Sequence, residues 1–576
     1  MKKIVLLIFA VCLGASADDS KLSKEFTQQL NKQKRGDELV DVIVRYRSRP
    51  GNGQRDRIQR KRGRIKRALP VVNSMSASLP ARALRELSDD PEVEFVSPDR
   101  PIFGSLTHAT SAAAADYAWN YGFEGTGIGV AVIDSGVADS PDFARPGSAG
   151  SRIVYSENFV ANSSTVEDLY GHGTHVASII AANGAASMCE SCTRTHKGMA
   201  PGAHIVSLRV LDEQGAGRDS FVIAAINRAI ELKDQHNIRV INLSLSRPIY
   251  DSYLLDPLCQ AVEQAWNAGI VVVVAAGNEG RNRAAGTEGY GTITAPGNDP
   301  RVITVGSMNP RDTQSVSDDE IASYSSKGPT ALDAVVKPDI VAAGNRIVAL
   351  APLGSYLVST NPQNRVALSE YRSDGGSAVS PDYYRLSGTS MAAAVVSGAV
   401  ADLLQAQPEL SPDQVKARLM KTARKQFPLY SSVHDAATGE TFNSQYDMFT
   451  VGAGYLDLSA ALMSTDVATL PAASPFAYRN PETGAVHLVS PSGALWGSGA
   501  LWGSSAVWGD RFDSYDEVGG SGALWGSGAL WGSGALWGSG ALWGSGALWG
   551  SGALWGSGAL WGSSLLPKGD EPVLTQ

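Results

Sequence analysis

The residue types of a nucleophilic serine site occur in three short stretches of this chain. Ser390 follows Gly388-Thr389 and opens an apolar run, which predicts a hydroxyl in the first turn of a helix, where the helix dipole favours a developing oxyanion. Asp134 ends an apolar strand pattern, and His172 stands between two glycines before another helical pattern. A serine attacks well when an imidazole takes its proton and a carboxylate orients that imidazole. The order Asp, His, Ser is one of the known orders of such a triad.

Each stretch also has a structural interpretation when it is taken alone. Gly-Thr-Ser before an alanine-rich run is typical of a helix N-cap. Asp134 could cap a turn, and we assign His175, one turn after His172, to structure. The three stretches together favour catalysis.

The stretches around Asp134, His172 and Ser390 resemble the motifs of the subtilisin-like serine proteases, the subtilases, and the similarity runs from about His108 to Ala461. A fourth motif, Val271–Gly280, is similar to the strand and loop that supply the oxyanion-hole asparagine in that family. The resemblance implies an endopeptidase that needs no cofactor for its chemistry, with Ser390 as nucleophile, His172 as general base and acid, and Asp134 orienting His172. It also implies Asn278 as an oxyanion donor and a substrate cleft walled by Ser244, Leu245, Ser246, Ala275 and Gly277.

The cleft walls, one further match to the family pattern and one departure from it extend this interpretation. The wall residues are small or apolar and carry no charge, which favours substrates with uncharged side chains. Asp142 matches a residue that binds calcium in many relatives, and this single carboxylate is the one candidate for a structural calcium ion. The segment from Leu350 to Tyr384 is longer than in compact members, and we expect it to form a loop over one side of the cleft.

The apolar patterning predicts an α/β fold: a three-layer subtilisin-like catalytic domain with a mostly parallel central sheet. Such sheets carry their chemistry beyond the carboxyl ends of the strands, where Asp134 and Asn278 fall. The predicted strands are 129–133, 204–210, 239–245 and 270–276, and the predicted helices are 171–182, 220–235, 254–267, 391–407 and 412–423.

Two leader segments precede this domain. Residues 1–17 carry two lysines, an apolar run and Ala15-Ser16-Ala17, which indicates a secretory signal peptide. Residues 18–107 read as a small α+β unit that resembles an inhibitory subtilase propeptide, although a permanently attached accessory domain is the alternative. We predict its strands at 39–45, 71–77 and 93–97 and its helices at 54–69 and 80–88.

Charge and cysteine content point to export. Residues 18–104 hold 19 Lys and Arg against 13 Asp and Glu, whereas the whole chain carries −8, so a basic leader precedes an acidic body. The basic run lacks interleaved aromatic residues, which argues against nucleic acid as a partner. Cys189 and Cys192 favour a local disulfide in an oxidising compartment, and Cys259 is predicted to be a buried thiol. Beyond the signal, no apolar run predicts a transmembrane segment.

The C-terminal part is read in three pieces after a catalytic domain at 108–464. Residues 465–492 are rich in Pro, Ala and Ser and are predicted to be a linker, and 564–576 are a short tail. Between them, at 493–563, Gly-Ala-Leu-Trp-Gly-Ser recurs every six residues, with an acidic interruption at 510–517. This array could stack into a solenoid, self-associate or adhere to a cell envelope; a flexible low-complexity tail is the alternative.

The sequence therefore favours a secreted endopeptidase made as a self-processing zymogen. Its partners would be protein or peptide substrates and its own propeptide as inhibitor. A surface or matrix protein that acts through its Trp repeats, with the protease fold as scaffold, is the alternative from another class. A narrow processing enzyme is a third, but specificity of that kind usually needs acidic pocket residues, which the sequence does not reveal.

Overall fold

The computed structural model describes the chain in two units that divide after Asp99. Described are residues 21–23, 26, 38–99, 101–104, 113 and 115–479, except 146, 148, 283–286, 312, 314, 315 and 436–438, together with 486–489 and short strands between 495 and 555. The predicted signal peptide at 1–17 lies outside the described residues.

The N-terminal unit is a four-stranded antiparallel sheet with two helices. Its strands are β1 (Leu39–Tyr46), β2 (Arg64–Leu69), β3 (Ser74–Pro80) and β4 (Val93–Pro98), in the order β2-β3-β1-β4, and its helices are α1 (Asn52–Arg60) and α2 (Ala83–Ser88). Val42, Val44, Ile58, Leu84 and Val96 belong to its apolar core. The α+β prediction for this unit agrees with these elements.

Two element predictions in this unit are wrong. The helix predicted at 54–69 ends at Arg60, and Arg64–Leu69 form β2. The chain leaves the helix at Arg62, which adopts a positive φ of 60°, and Gly63 then packs so closely on Ile58 that a Cβ at this position would overlap that side chain. The strand predicted at 71–77 begins only at Ser74, because Pro70–Val72 form a single 3-10 turn that ends on left-handed Asn73.

The C-terminal unit is built on an eight-stranded sheet with the order β14-β13-β12-β10-β6-β8-β7, and β15 pairs with β13. Every pairing in it is parallel except that of the edge strand β14. Its strands are β6 (Gly129–Asp134), β7 (Ile153–Asn158), β8 (His204–Arg209), β10 (Ile238–Leu243), β12 (Val271–Ala275), β13 (Ile303–Asn309), β14 (Glu320–Ile321) and β15 (Ile340–Ala343). Burial of β6 and β12 along their whole length explains their unbroken apolar sequence.

Helices cover this sheet. They are α3 (Ala115–Asn120), α4 (His172–Ala181), α5 (Asp219–Glu231), α6 (Pro257–Asn267), α7 (Tyr356–Thr360), α8 (Thr389–Ala406), α9 (Pro412–Thr422), α10 (Met448–Val451) and α11 (Leu458–Met463). The helices α4 and α8 pack on each other, and α5 packs on α6. In length and composition α8 could cross a membrane, but 89% of it is buried inside the protein, as expected of a core helix.

Smaller sheets border the central one. The strand β5 (Pro101–Gly104) pairs antiparallel with β9 (Ala216–Arg218) on one side and with β11 (Leu245–Ser246) on the other. The long segment predicted at 350–384 contributes to a sheet of β16 (Ile347–Leu350), β17 (Arg365–Ala367) and β18 (Val379–Leu386). A hairpin of β19 (Tyr430–His434) and β20 (Thr441–Gln445) follows.

The prediction of a linker beginning at 465 is wrong for its first half. Ser474 is buried, and its hydroxyl donates to Asp339 Oδ1 at 2.5 Å while its backbone N–H donates to the Pro300 carbonyl. The carboxylate of Asp339 also pairs with Lys337 and Lys416, so this segment completes a buried ionic cluster. The hairpin β21 (Phe476–Arg479) and β22 (Val486–Val489) follows. A Pro- and Ser-rich composition does not reveal such contacts, because they depend on residues distant in sequence.

The backbone of the repeat array forms parallel ladders with a spacing of 12 residues. Leu524–Ser527 pairs with Leu536–Ser539, which pairs with Leu548–Ser551, and identical residues lie opposite each other. The intervening repeats, Leu530–Trp531, Leu542–Trp543 and Leu554–Trp555, form a second ladder. Within these described strands the pairing therefore repeats every two hexapeptides.

Candidate active site

The predicted catalytic residues meet where several elements begin or end. Asp134 is the last residue of β6, and His172 is the first residue of α4. Ser390 is the second residue of α8, and Asn278 follows the end of β12 by three residues. The parallel strands bring these chain segments to one edge of the sheet, as expected for an α/β protein.

Asp134 and His172 form a buried pair. Nδ1 of His172 lies 2.8 Å from Oδ1 and 3.0 Å from Oδ2 of Asp134. Burial lowers the pKa of His172, but the charge and hydrogen bond of Asp134, with a contribution from Asp168, raise it more, so its pKa lies above the usual 6.5. The contact fixes Nδ1–H toward the carboxylate and leaves Nε2 as the basic nitrogen.

Asp168, which sequence reasoning missed, anchors the beginning of α4. Its carboxylate accepts hydrogen bonds from the backbone N–H of Gly171 and Thr174, from the hydroxyl of Thr174 at 2.6 Å and from the hydroxyl of Ser135 at 2.8 Å. Ser135 in turn accepts from the Gly173 N–H. These contacts hold the chain on both sides of His172. The one sequence signal is an acidic residue four positions before the histidine.

Ser390 is held by Ser244 rather than by His172. Its Oγ donates to the Ser244 carbonyl at 3.2 Å, and the Ser244 hydroxyl donates to the Ser390 carbonyl at 2.8 Å. Asn242 donates to that Ser244 hydroxyl and accepts from Ser397 on the same helix as Ser390. Nε2 of His172 is buried and has no hydrogen-bond partner among the described residues. Only two of the three predicted triad members are hydrogen-bonded to each other here.

Asn278 is oriented by the residue next to the nucleophile. Its Oδ1 accepts from the Thr389 backbone N–H at 2.9 Å and from the Thr389 hydroxyl at 3.1 Å. A Cβ on Gly388 would lie 3.2 Å from Nδ2 of Asn278, so Nδ2 lies beside the glycine that precedes Thr389. This leaves the amide N–H side of Asn278 beside the first turn of α8, where an oxyanion donor is required.

The predicted cleft residues lie on two of the segments that reach this edge. Leu245 and Ser246 pair with Gly104 and Phe103 of β5. Ala275 is the buried last residue of β12. Gly277 has a φ of +107°, and a Cβ there would lie 2.8 Å from side-chain atoms of Thr294 and Ser326, so only glycine fits without rearrangement.

Asp142 does not have the surroundings of a calcium ligand. Its Oδ1 accepts from the Ala186 N–H at 2.6 Å and its Oδ2 accepts from the Tyr383 hydroxyl at 3.1 Å. Arg152 donates to the Asp142 carbonyl at 2.7 Å, and burial raises the pKa of the carboxyl. Within the described residues, no group of three or more His, Cys, Asp or Glu side chains is placed to hold a metal. A cation here would face hydrogen-bond donors instead of oxygen ligands.

The cysteine predictions are confirmed. Cys189 and Cys192 form a disulfide, and Cys259 is a free buried thiol that donates to Asn298 Oδ1. Burial raises the pKa of the Cys259 thiol well above its usual value, which disfavours the reactive thiolate.

The long segment 350–384 packs against the start of α4, through contacts that the sequence did not predict. The backbone N–H groups of Tyr356 and Leu357 donate to the carbonyls of Leu169 and Tyr170. The rings of Tyr170 and Tyr356 stack with centroids 6.1 Å apart, and Tyr170 lies 6.3 Å from the His172 ring. The expected loop beside the cleft is therefore an ordered helix and sheet.

A mostly parallel α/β sheet with an Asp–His pair and a serine at a helix start defines the class of serine hydrolases. The model of the subtilase family matches residues 125–454, and the chain belongs to that family. It is a serine endopeptidase of the subtilisin type.

Two curated relatives and one solved structure illustrate the similarity. Serine protease AprX of Bacillus subtilis (strain 168) is 35% identical over 367 residues, which cover 62% of this chain and 76% of AprX. Subtilisin E of the same strain is 31% identical over 424 residues, covering 73% and 93%. Fervidolysin of Fervidobacterium pennivorans, described as a keratinolytic enzyme related to subtilisin, has a TM-score of 0.55 at 21% identity. That match covers 78% of this chain and 63% of fervidolysin, and it shows the fold alone.

Proposed function

We propose that this endopeptidase is secreted as a zymogen, removes its own leader and hydrolyses peptide bonds next to uncharged side chains. The observation that carries the proposal is the pairing of β5, which joins the leader to the catalytic unit, between β9 and β11. Peptide substrates are commonly bound by such strand addition. A leader bound in this way is both the first substrate and an inhibitor.

In the proposed reaction, Ser390 Oγ exchanges its bond to Ser244 for one to Nε2 of His172 and attacks the peptide carbonyl. The proton moves to Nε2 as the C–O bond forms, and the Asp134 carboxylate stabilises the imidazolium. The oxyanion accepts hydrogen bonds from Asn278 Nδ2 and the Ser390 N–H. The C–N bond then breaks, and His172 protonates the departing amine.

The second half of the reaction releases the acyl group from Ser390. Water gives its proton to His172, attacks the ester carbonyl and forms a carboxylic acid as the bond to Oγ breaks. The proton returns from His172 to Ser390 Oγ. The side chains named here complete this cycle without a metal or an organic cofactor.

Export is supported by the predicted signal at 1–17 and by the disulfide of Cys189 with Cys192, since disulfides persist in oxidising compartments. We also propose that the repeat array holds the enzyme in place, through self-association or binding to a cell envelope. The support is its regular ladder of parallel strands, in which the backbone pairing repeats every 12 residues.

The test of self-processing is the length of the secreted protein. Ser390→Ala should accumulate at precursor length, whereas Ser432→Ala, an exposed serine far along the chain, should mature as wild type does. Intact mass and N-terminal sequencing distinguish the two forms. Normal trimming of Ser390→Ala in a host without other proteases would contradict self-processing.

A further inference from the structure

The register of β5 defines where a bound chain meets the nucleophile. Phe103 lies opposite Ser246, and Gly104 lies opposite Leu245 in an antiparallel pair. Continued by one residue, this register brings the next residue of a bound chain opposite Ser244. The Ser244 carbonyl lies 3.2 Å from Ser390 Oγ, so that next residue carries the carbonyl that is attacked. Gly104 therefore corresponds to the second residue before the scissile bond.

The other neighbour of this position is Gly215. On the β9 side Phe103 lies opposite Ala216 and Ile102 opposite Gly217, where the observed ladder ends. Continued by one residue into the turn before β9, the same register would place Gly104 opposite Gly215. Gly215 has a φ of +77°, and a Cβ on it would overlap the ring of Tyr170. The Tyr170 ring therefore lies directly against the backbone that borders this substrate position.

Tyr170 is fixed in this place from two sides. Its ring stands between His172 and Gly215 in the turn at 212–215. On the other side it stacks on Tyr356, whose backbone N–H is bound to the Leu169 carbonyl. The Tyr170 ring cannot swing aside without losing its stack on Tyr356, and the backbone hydrogen bond to Leu169 holds Tyr356 in place.

We propose that Tyr170, supported by Tyr356, makes this protease select glycine as the second residue before the scissile bond. A larger side chain at that place would have to displace the Tyr170 ring from Gly215. The chain's own leader has glycine there, and the register predicts self-cleavage between Ser105 and Leu106. The proposal rests on the proposed function, because it takes β5 as a bound substrate strand.

The first experiment compares peptides that differ only at that residue, carrying Gly, Ala or Leu. We expect the wild-type enzyme to prefer Gly over Leu by at least about tenfold in kcat/KM. Tyr170→Ala should reduce the preference to a few-fold by accelerating hydrolysis of the Leu peptide, while Tyr170→Phe, which keeps the ring, should retain it. Tyr356→Ala should shift the ratio in the same direction as Tyr170→Ala, and it tests the proposal even if Tyr170→Ala fails to fold.

The second experiment uses the full-length precursor. Gly104→Leu should slow self-cleavage at least about tenfold, and Gly104→Leu combined with Tyr170→Ala should recover it. Equal cleavage of the Gly and Leu peptides by wild type, or an unchanged ratio in both Tyr170→Ala and Tyr356→Ala, would overturn the selectivity. A mature N-terminus away from Leu106 would overturn the register. Failure to hydrolyse any peptide would instead count against the proposed function itself.

Discussion

Two regions beside the cleft were built by different means. The catalytic edge, Asp134, His172, Asn278 and Ser390, consists of residues at the ends of regular elements. The flank, residues 183–198 and 351–386, is held by contacts between segments far apart in sequence, such as the Tyr383 hydroxyl on Asp142 and the Thr193 N–H on the Tyr371 carbonyl. In the proposed mechanism the edge supplies charge and proton transfer, whereas the contacts of the flank stabilise the fold beside it. Mutations in the edge should therefore lower kcat, whereas mutations in the flank should lower the free energy of unfolding.

The largest effect is expected from Asp134→Asn. Loss of the carboxylate should lower kcat by about 10⁴-fold, because the imidazole loses its orientation and its stabilised cation. Activity requires neutral His172, so the wild-type rate should rise with pH and level off above a midpoint higher than 6.5. Since Asp134 raises that pKa, the residual activity of Asp134→Asn should have a lower midpoint. A pH–rate profile with an unshifted midpoint would contradict the pairing.

Asn278→Ala should give the next largest effect. Removing one oxyanion donor costs about 10²–10³-fold in kcat, a magnitude that comes from a subtilisin. KM and thermal stability should change little, and Asn267→Ala, at the exposed end of α6, is the matched control. A wild-type turnover number for Asn278→Ala would remove this side chain from the mechanism.

Truncation within residues 466–492 separates an effect on stability from an effect on catalysis. A chain that ends at Ser492 keeps Ser474 on Asp339 and should hydrolyse peptides at the full-length rate. A chain that ends at Thr465 loses the Ser474 hydrogen bonds to the buried ionic cluster, and its free energy of unfolding should fall by about 2 kcal/mol or more. Denaturant unfolding measures the stability of each chain, and a peptide assay measures its activity. Equal stability of the two chains would show that residues 466–492 contribute nothing to the free energy of unfolding.

The smallest effect is expected in the flank. Tyr383→Phe leaves Asp142 without its hydroxyl donor and should lower the free energy of unfolding by about 1–3 kcal/mol, with kcat nearly unchanged. Tyr356→Phe, which keeps the stacked ring in the same segment, is the control and should unfold as wild type does. If added calcium stabilised the wild-type protein and this gain disappeared in Asp142→Asn, the hydrogen-bonded arrangement of Asp142 would be wrong.

The sequence by itself determined the class of fold, and it predicted the residues proposed to form the catalytic edge. Buried parallel strands are continuously apolar, so their pattern predicts the sheet. Asp134 ends such a strand, and His172 and Ser390 stand next to glycines at the starts of helices, so local patterns were sufficient to predict these three residues. The disulfide of Cys189 with Cys192 was also readable, since its two residues are only three apart.

Only the tertiary structure decided how these residues are held and what surrounds them. No local pattern in the sequence predicts the contacts of Asp168 with the start of α4, of the Ser244 carbonyl with Ser390, or of Ser474 with Asp339. Tyr170 is an ordinary aromatic residue in the sequence, and its place against Gly215 depends on a segment that begins about 180 residues later. Local patterns reflect the free energy of each element, whereas these contacts depend on packing between elements, which chain topology alone brings together.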